Sequence, residues 1–123
     1  MKLNPDCIRD IMLFVEERCD MESRIDFCEI YNAFNNKYER KEIDYHIDQC
    51  NQNGFLNKVY SYIDGSRFID RLTPKGHEFI ENIRSATVWA AVKEKAGKIG
   101  SFSIDLLTQI AVSVVTNLIN SVL

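Results

Sequence analysis

The sequence predicts an α+β, mainly helical fold in which one helix leads directly into a β-hairpin. The first observation is the spacing of Ile43, Ile47 and Cys50, which is that of a helix with one buried side. The second is Gly54, which stands where a left-handed C-cap would end that helix. The third is the alternation of β-branched and aromatic residues over positions 58–63, which is typical of a strand. In this order they indicate the reading helix and wing of a winged helix-turn-helix domain with a small β-hairpin wing.

Two registers compete for the predicted hairpin. A loop of residues 64–65 would place Val59 opposite Asp70, which joins an apolar side chain to an acidic one. A loop of residues 65–66 matches apolar with apolar and acid with base, in the pairs Ile63 with Phe68, Val59 with Leu72 and Asp64 with Arg67. We expect the second register, because glycine at the first loop position also suits a type II′ turn. It turns four residues inward, Val59, Ile63, Phe68 and Leu72, and four outward, Tyr60, Tyr62, Ile69 and Arg71.

Two helices are predicted before the reading helix, and each begins at a capping residue. Asn4 is an N-cap residue, Pro5 follows it at the first helical position, and this helix is expected to end near Cys19. Asp26 is expected to cap the second helix, after a very short strand over residues 23–25 that joins the wing sheet. The apolar faces of the two helices consist of Cys7, Ile8, Ile11, Phe14 and Val15, and of Phe27, Ile30, Tyr31 and Phe34.

The chain after the hairpin is predicted to be helical. Thr73 and Pro74 begin one helix by the same cap-and-proline pattern. Its apolar face changes side near Ser85, which indicates either a break capped by Ser85 or one long helix that packs on two neighbours; we expect a bend there. Ser103 is expected to cap the last helix. We therefore predict a winged-helix domain over residues 1–84 and a C-terminal helical extension over residues 85–123.

The last helix is predicted to pack its wide apolar arc against a partner helix. Its apolar arc covers about half of the circumference, which is wider than one neighbour needs. Its polar residues argue against a membrane span, and the lack of lysine and arginine among them argues against binding at a membrane surface. A partner helix is therefore expected, either from residues 87–99 of this chain or from a second copy, and a homodimer is the economical hypothesis. The predicted interface consists of Trp89, Val92, Leu107, Ala111, Val114, Val115, Leu118 and Val122.

Composition favours a cytoplasmic binding protein rather than an enzyme. With 123 residues, 46% of them hydrophobic, the chain can bury one core, and its net charge of −3 provides no basic field. No charged-then-apolar leader segment begins the sequence. The four cysteines lack C-x-x-C spacing and are expected to be reduced, buried thiols.

Metal, cofactor and catalytic sites are not expected. His46 and Cys50 have a spacing that can chelate a metal, but no second pair of ligands accompanies them. His77 stands beside Glu78 without a nucleophile or a glycine-rich phosphate loop. We therefore predict structural or surface roles for both histidines.

Several segments resemble known families. YHIDQC (45–50) followed by NGFL (53–56) resembles the passage from reading helix to wing in winged-helix proteins, and LTPKGHEF (72–79) is similar to the LTxxG exit from the wing. Three further segments are similar to a group of small uncharacterised proteins from phages and prophages, mostly of Gram-positive bacteria: MKLNPD (1–6) with IRDI (8–11), GHEFIENIR (76–84), and TVW (87–89) with KEKA (93–96). The resemblance covers most of the chain. It implies a winged-helix fold and a phage-associated cytoplasmic protein, but no activity and no functional residues.

The outer side of the reading helix and the wing form the candidate binding surface. Lys41, Gln49 and Gln52 are residue types that hydrogen-bond base edges, and Tyr45 can pack beside them. Basic residues of the wing are suited to phosphate contacts. The full predicted set is Lys41, Tyr45, Gln49, Gln52, Lys58, Tyr60, Arg67, Arg71 and Lys75.

Local charge leaves the partner open between two classes. Residues 39–53 carry four acids and two bases, and each uncompensated carboxylate opposes approach to phosphates. Residues 58–75 carry four bases and two acids, and residues 84–98 carry four bases and one acid. The first expectation is a phage or prophage regulator that binds double-stranded DNA. The alternative is a protein-binding module that inhibits a host or defence nucleic-acid-binding protein through its acidic helix.

Overall fold

The structure, a computed structural model, describes residues 1–122 and has a mainly helical α+β fold. The described residues contain six helices and one small three-stranded antiparallel sheet. In chain order the elements are α1 (Pro5–Arg18), β1 (Ile25–Asp26), α2 (Phe27–Ala33), α3 (Arg40–Gln52), β2 (Val59–Ser61), β3 (Arg67–Ile69), α4 (Pro74–Ile83), α5 (Ala86–Ile99) and α6 (Ile104–Val122). The chain divides into two compact units, residues 1–77 and residues 78–123. The predicted domain boundary lies between residues 84 and 85. It is a statement about which segments fold independently, and it stays a prediction.

Capping side chains begin the helices where the sequence predicts them. Asn4 accepts a hydrogen bond from the Asp6 N–H at 3.1 Å, and α1 follows. Asp26 accepts from the Cys28 N–H at 2.9 Å, within a capping box that begins α2. Ser85 accepts from the N–H of the third residue of α5, so the predicted bend is confirmed as a break between two helices.

The sheet has the strand order β1-β3-β2, with the hairpin strands β2 and β3 adjacent. A row of three apolar residues crosses it, since Ile69 pairs with Ile25 on one side and with Val59 on the other. Ile69 is completely buried. The predicted short strand that joins the hairpin is thus confirmed, but it covers Ile25–Asp26 instead of residues 23–25.

The hairpin closes over three residues, 63–65, and both predicted registers are wrong. The observed cross-strand pairs are Val59 with Ile69, Tyr60 with Phe68 and Ser61 with Arg67, and the Tyr62 N–H donates to the Ser66 carbonyl at 2.9 Å. Three of the predicted orientations change as a result. Ile69, predicted to face outward, belongs to the core; Phe68, predicted to face inward, lies on the outer face with Tyr60; and Ile63 is fully exposed in the loop.

The three-residue loop is stabilised at its third position. Gly65 has φ +88°, the left-handed conformation that such a loop requires there. The Asp64 carboxylate accepts hydrogen bonds from the N–H and the hydroxyl of Ser66, at 2.9 and 2.6 Å. These local bonds, together with the aromatic pair of Tyr60 and Phe68, favour this register over one that would bury Ile63.

Helix α3 forms the centre of the first unit and packs against α1 and α2. It buries Ile43, Ile47 and Cys50, as predicted, and His46 is buried with them. All four cysteines are unpaired, but only Cys7 and Cys50 are buried. The prediction of buried thiols is wrong for Cys28, which is exposed on the outer side of α2.

The exit from the hairpin is held against the residues that follow α3. Gly54 ends α3 with φ +77°, as predicted, and its carbonyl accepts a hydrogen bond from the Thr73 hydroxyl at 2.5 Å. The same hydroxyl accepts from the Gly76 N–H at 3.0 Å. A Cβ on Gly76 would lie 2.4 Å from the Phe55 carbonyl oxygen. The glycine of the LTxxG segment is therefore required by a close approach of two backbones.

Helices α5 and α6 pack against each other in the second unit. Gly100, with φ +85°, ends α5, and the Ser103 hydroxyl accepts from the Leu106 N–H at the start of α6. By length and composition alone, α6 qualifies as a candidate membrane span, a criterion that core helices of soluble proteins also meet. The predicted absence of a membrane contact therefore stays a prediction.

Candidate nucleic-acid or partner interface

The predicted reading residues form one outward stripe along α3. Lys41 and Gln52 are exposed, and Tyr45 and Gln49 are half-buried. Tyr45 packs edge-on against the buried His46 ring, with 5.0 Å between ring centres. The Gln52 amide donates to the Asp48 carboxylate at 2.8 Å. One of the two glutamines predicted to contact base edges is therefore already hydrogen-bonded within its own helix.

His46 holds the start of α1 against α3. Its Nε2 accepts from the Asn4 N–H at 2.7 Å, and its Nδ1 lies 2.6 Å from the Glu42 carbonyl oxygen. A backbone N–H can only donate and a carbonyl can only accept, so the ring is neutral with its proton on Nδ1. Both ring nitrogens have protein partners, which gives His46 a structural role.

Arg67 is bound into the first unit rather than extended toward solvent. It forms an ion pair with Asp44 at 3.1 Å and donates to the Tyr31 hydroxyl at 2.7 Å. Its guanidinium carbon lies 4.7 Å from the centre of the Phe27 ring. The Tyr31 hydroxyl in turn donates to Asp44, and burial followed by this hydrogen bond raises the pKa of Tyr31 to about 12. The charge of this predicted phosphate contact is therefore already neutralised by a carboxylate of α3.

The other predicted wing cations differ in their availability. Arg71 pairs with the neighbouring Asp70 at 3.3 Å. Lys58 and Lys75 are exposed, with their ammonium groups 4.8 Å from the Tyr60 ring centre and 5.7 Å from the Phe55 ring centre. Within residues 1–122, neither lysine forms an ion pair with a carboxylate.

Lys75 extends the α3 stripe at its C-terminal end. Its Cδ would lie 3.9 Å from a Cβ built on Gly54, the residue that ends α3. Lys41 lies in the first turn of the same helix and, like Lys75, forms no ion pair with any described carboxylate. The stripe thus carries an unpaired lysine at each end, roughly 20 Å apart at 1.5 Å of rise per residue.

The outer face of the sheet carries a cluster that sequence reasoning missed in part. We define the aromatic face as Arg24, Lys58, Tyr60, Tyr62 and Phe68. Tyr60 and Tyr62 are parallel within 3°, with ring centres 6.5 Å apart, and Phe68 meets Tyr62 edge-on at 5.9 Å. The Arg24 guanidinium carbon lies 4.6 Å from the Tyr60 ring centre, and Arg24 donates to the Tyr62 hydroxyl. In the observed register the side chains of Arg24 and Phe68 lie on the same face of the sheet. The predicted register turned Phe68 inward and so concealed this relation.

The chain matches the sequence profile of a family described as "Hypothetical protein (DUF2513)" over residues 2–103. The chain belongs to this DUF2513 family. It is also similar to a protein of Haemophilus influenzae described as "Uncharacterized protein", with 27% identity over 122 residues that cover 97% of this chain and 99% of the relative. No solved structure matches the chain. The family is thus shown, whereas the phage association and the Gram-positive range implied by the resemblance remain expectations.

The matched region of this DUF2513 protein includes both candidate surfaces of the first unit and ends just before α6. Five of the predicted dimer residues are buried in the single chain, namely Trp89, Val92, Leu107, Ala111 and Val114. Val115 is half-buried, and Leu118 and Val122 are 50% and 83% exposed. Together with Ile119 these three line one apolar groove. The homodimer stays a prediction, and its interface would have to use this C-terminal half of α6.

Proposed function

We propose that the first unit of this DUF2513 protein is a winged helix-turn-helix domain that binds double-stranded DNA, as a non-enzymatic regulator in a phage or prophage. In this proposal α3 is the reading helix and the β2–β3 hairpin is the wing. The order of a short helix, a tight turn, a longer helix and a hairpin joined by a third short strand supports it. The regulatory role rests on the resemblance of its sequence segments to phage proteins.

The observation that carries the proposal is the stripe of Lys41, Tyr45, Gln49 and Gln52 with Lys75 at its end. Unpaired lysines at both ends suit phosphates on the two sides of a groove, while the amides between them suit base edges. The acidic character of α3 is smaller than its sequence indicates, because the Asp44 carboxylate is compensated by Arg67. Asp48 remains exposed and is the main electrostatic cost of this arrangement.

Fluorescence anisotropy with a randomised duplex of about 20 base pairs at low salt tests this function. We expect Lys41→Ala with Lys75→Ala to weaken binding and to reduce the slope of log K against log salt by about 1.8, since each phosphate contact contributes about 0.9. Asp48→Asn should strengthen binding, because it removes an exposed carboxylate. Lys95→Ala, an exposed lysine of α5, is the matched control. Absence of binding at about 10 μM protein, or a loss of affinity from Lys95→Ala as large as that from the double variant, would contradict the proposal.

A protein-binding function is the second candidate, and the cleft between α3 and the hairpin favours it. Asp44, Asp48 and Asn51 of α3 line this cleft opposite Ser61 and Arg67. Such an acidic, partly apolar recess suits a basic protein surface better than a phosphate backbone. Capture from host lysate separates the two candidates: a protein retained by the wild type and lost with Asp48→Lys supports this function, whereas duplex binding enhanced by Asp48→Asn supports the first.

A further inference from the structure

We propose that the aromatic face of the sheet binds single-stranded nucleic acid, with bases stacking on Tyr60 and Tyr62 and phosphates contacting Arg24 and Lys58. This proposal goes beyond the proposed function, since it uses the outer face of the sheet instead of the α3 stripe and a different form of nucleic acid; Lys58 and Tyr60 are the two predicted wing residues that it shares. It does not require that α3 bind duplex DNA.

The rings form an accessible platform. Tyr62 is 46% exposed at the edge of the hairpin. Tyr60, two residues earlier in the chain, is half-buried. Their planes are parallel within 3°, and Phe68 supports Tyr62 from the neighbouring strand. Parallel rings that stand on one face of a sheet stack with successive unpaired bases, and they accept any base because every base has a π-face.

The cations lie where a phosphate backbone would pass. The Arg24 guanidinium carbon is within 4.6 to 5.9 Å of the centres of the three rings, and Lys58 lies above Tyr60 on the same face. Within the part of the chain that the structure describes, Arg24 forms no ion pair with a carboxylate. This differs from Arg67 on the inner face, whose charge is neutralised by Asp44.

The two carboxylates nearest this face are occupied by other partners. Asp26 caps α2 through the Cys28 N–H, and Asp70 accepts from the Asn57 amide at 2.8 Å and pairs with Arg71. The aromatic face therefore combines the exposed Tyr62 ring with two cations, while the charge of the nearby Asp70 is shared between Arg24 and Arg71. That combination fits a single strand, whose bases are free to stack, better than a duplex, whose bases already stack on each other.

The experiment measures the anisotropy of a labelled oligothymidylate of about 12 nucleotides, within the usual site size for such surfaces, against full-length protein. Tyr62→Ala should weaken binding by roughly 5- to 150-fold, the range for loss of one base–aromatic stack, whereas Tyr62→Phe should bind like the wild type. Arg24→Ala should weaken binding and reduce the slope of log K against log salt by about 0.7, the contribution of one phosphate on a single strand. Tyr62→Ala should leave that slope unchanged.

Lys95→Ala serves as the charge-matched control, and thermal melting monitored by circular dichroism verifies that each variant is folded. Failure of the oligothymidylate to bind at about 100 μM protein would overturn the proposal. Binding that persists unchanged in folded Tyr62→Ala and Arg24→Ala would also overturn it, since the rings and Arg24 would then only stabilise the sheet. Loss of duplex binding in Lys41→Ala with retained oligothymidylate binding would leave this inference intact, so the two proposals fail separately.

Discussion

At the scale of single residues, Gly76 determines how closely the hairpin exit approaches the end of α3. Its N–H is bound by the Thr73 hydroxyl, and its missing side chain leaves room for the Phe55 carbonyl. Backbone atoms cannot move aside as the end of a flexible side chain can. Any larger residue must therefore displace α4 or the segment after α3.

We predict that Gly76→Ala lowers the free energy of unfolding by about 1–3 kcal/mol, the usual cost of overpacking, because its Cβ would lie 2.4 Å from the Phe55 oxygen. Urea denaturation measures the change. Gly97→Ala is the matched control: this helical glycine of α5 is exposed, and its nearest neighbour would lie 3.9 Å from the new Cβ. The control should be neutral or more stable by up to about 1 kcal/mol. Equal effects of both changes would refute the close-approach argument.

Buried polar contacts at this scale could not be derived from the sequence. A structural or surface role is predicted for His46, but its bond to the Asn4 N–H joins residues 42 positions apart. The bond between Arg67 and Asp44 likewise spans 23 positions. Spacing rules describe neighbours within one helix or hairpin, and they carry no information about which elements meet.

At the scale of elements, the sequence predicted the helices well because their signals are local. Asn4, Asp26 and Ser85 each lie within three residues of the N–H groups that they cap. The hairpin was harder, since its register depends on loop length, and one residue of shift exchanges the two faces. With the two-residue loop of the predicted register, Ile69 lies outside and Phe68 inside. The observed three-residue loop exchanged them, and with them the composition of the aromatic face.

Helix α6 carries an apolar stripe that lies outside the core of its own chain. Val115, Leu118, Ile119 and Val122 follow the i, i+3, i+4, i+7 spacing of a helix-pairing seam and line one groove. No charged residue follows Asp105 in the sequence, so two copies of this seam would meet without charge repulsion. These features place the predicted homodimer contact on the last turns of α6.

We predict that the full-length protein has the mass of a dimer in solution, twice the 14.3 kDa of one chain. Leu118→Glu should convert it to a monomer, because the new carboxylate would be desolvated within the seam. Asn117→Glu adds the same charge on the opposite side of the helix and should leave the dimer intact. Multi-angle light scattering gives all three masses; a single-chain mass for the wild type, or an unchanged dimer for Leu118→Glu, would count against this arrangement.

At the scale of the whole molecule, the buried thiols and phenols make the free energy of unfolding vary with pH in the alkaline range. Burial raises the pKa of Cys7 from 9.0 to about 12 and raises the pKa of Cys50 as well. The pKa values of Tyr31 and Tyr38 also rise above 10.0, mainly through burial and then through hydrogen bonds to carboxylates. Between about pH 9 and pH 12 the unfolded chain therefore loses protons that the folded chain retains.

We predict that the free energy of unfolding is highest below about pH 9 and falls as the pH rises toward 12. Above the ordinary pKa of these groups the unfolded chain gains free energy by ionising them, whereas the folded chain does so only above their raised pKa. Urea midpoints measured at about pH 7 and about pH 10 give the slope. Cys50→Ala should be less stable at both pH values but should show a shallower decline. A stability that does not vary across this interval would contradict the predicted burial of these groups.

The bond from the Asn4 backbone to His46 has a practical consequence for handling the protein. It ties the residue that caps α1 directly to the interior side of α3. A purification tag joined to Met1 would begin only a few positions from that anchor. An added segment that pulls residues 1–4 out of place would break the bond, shift the helix that carries Lys41 and Gln52, and weaken the proposed duplex binding without altering either side chain.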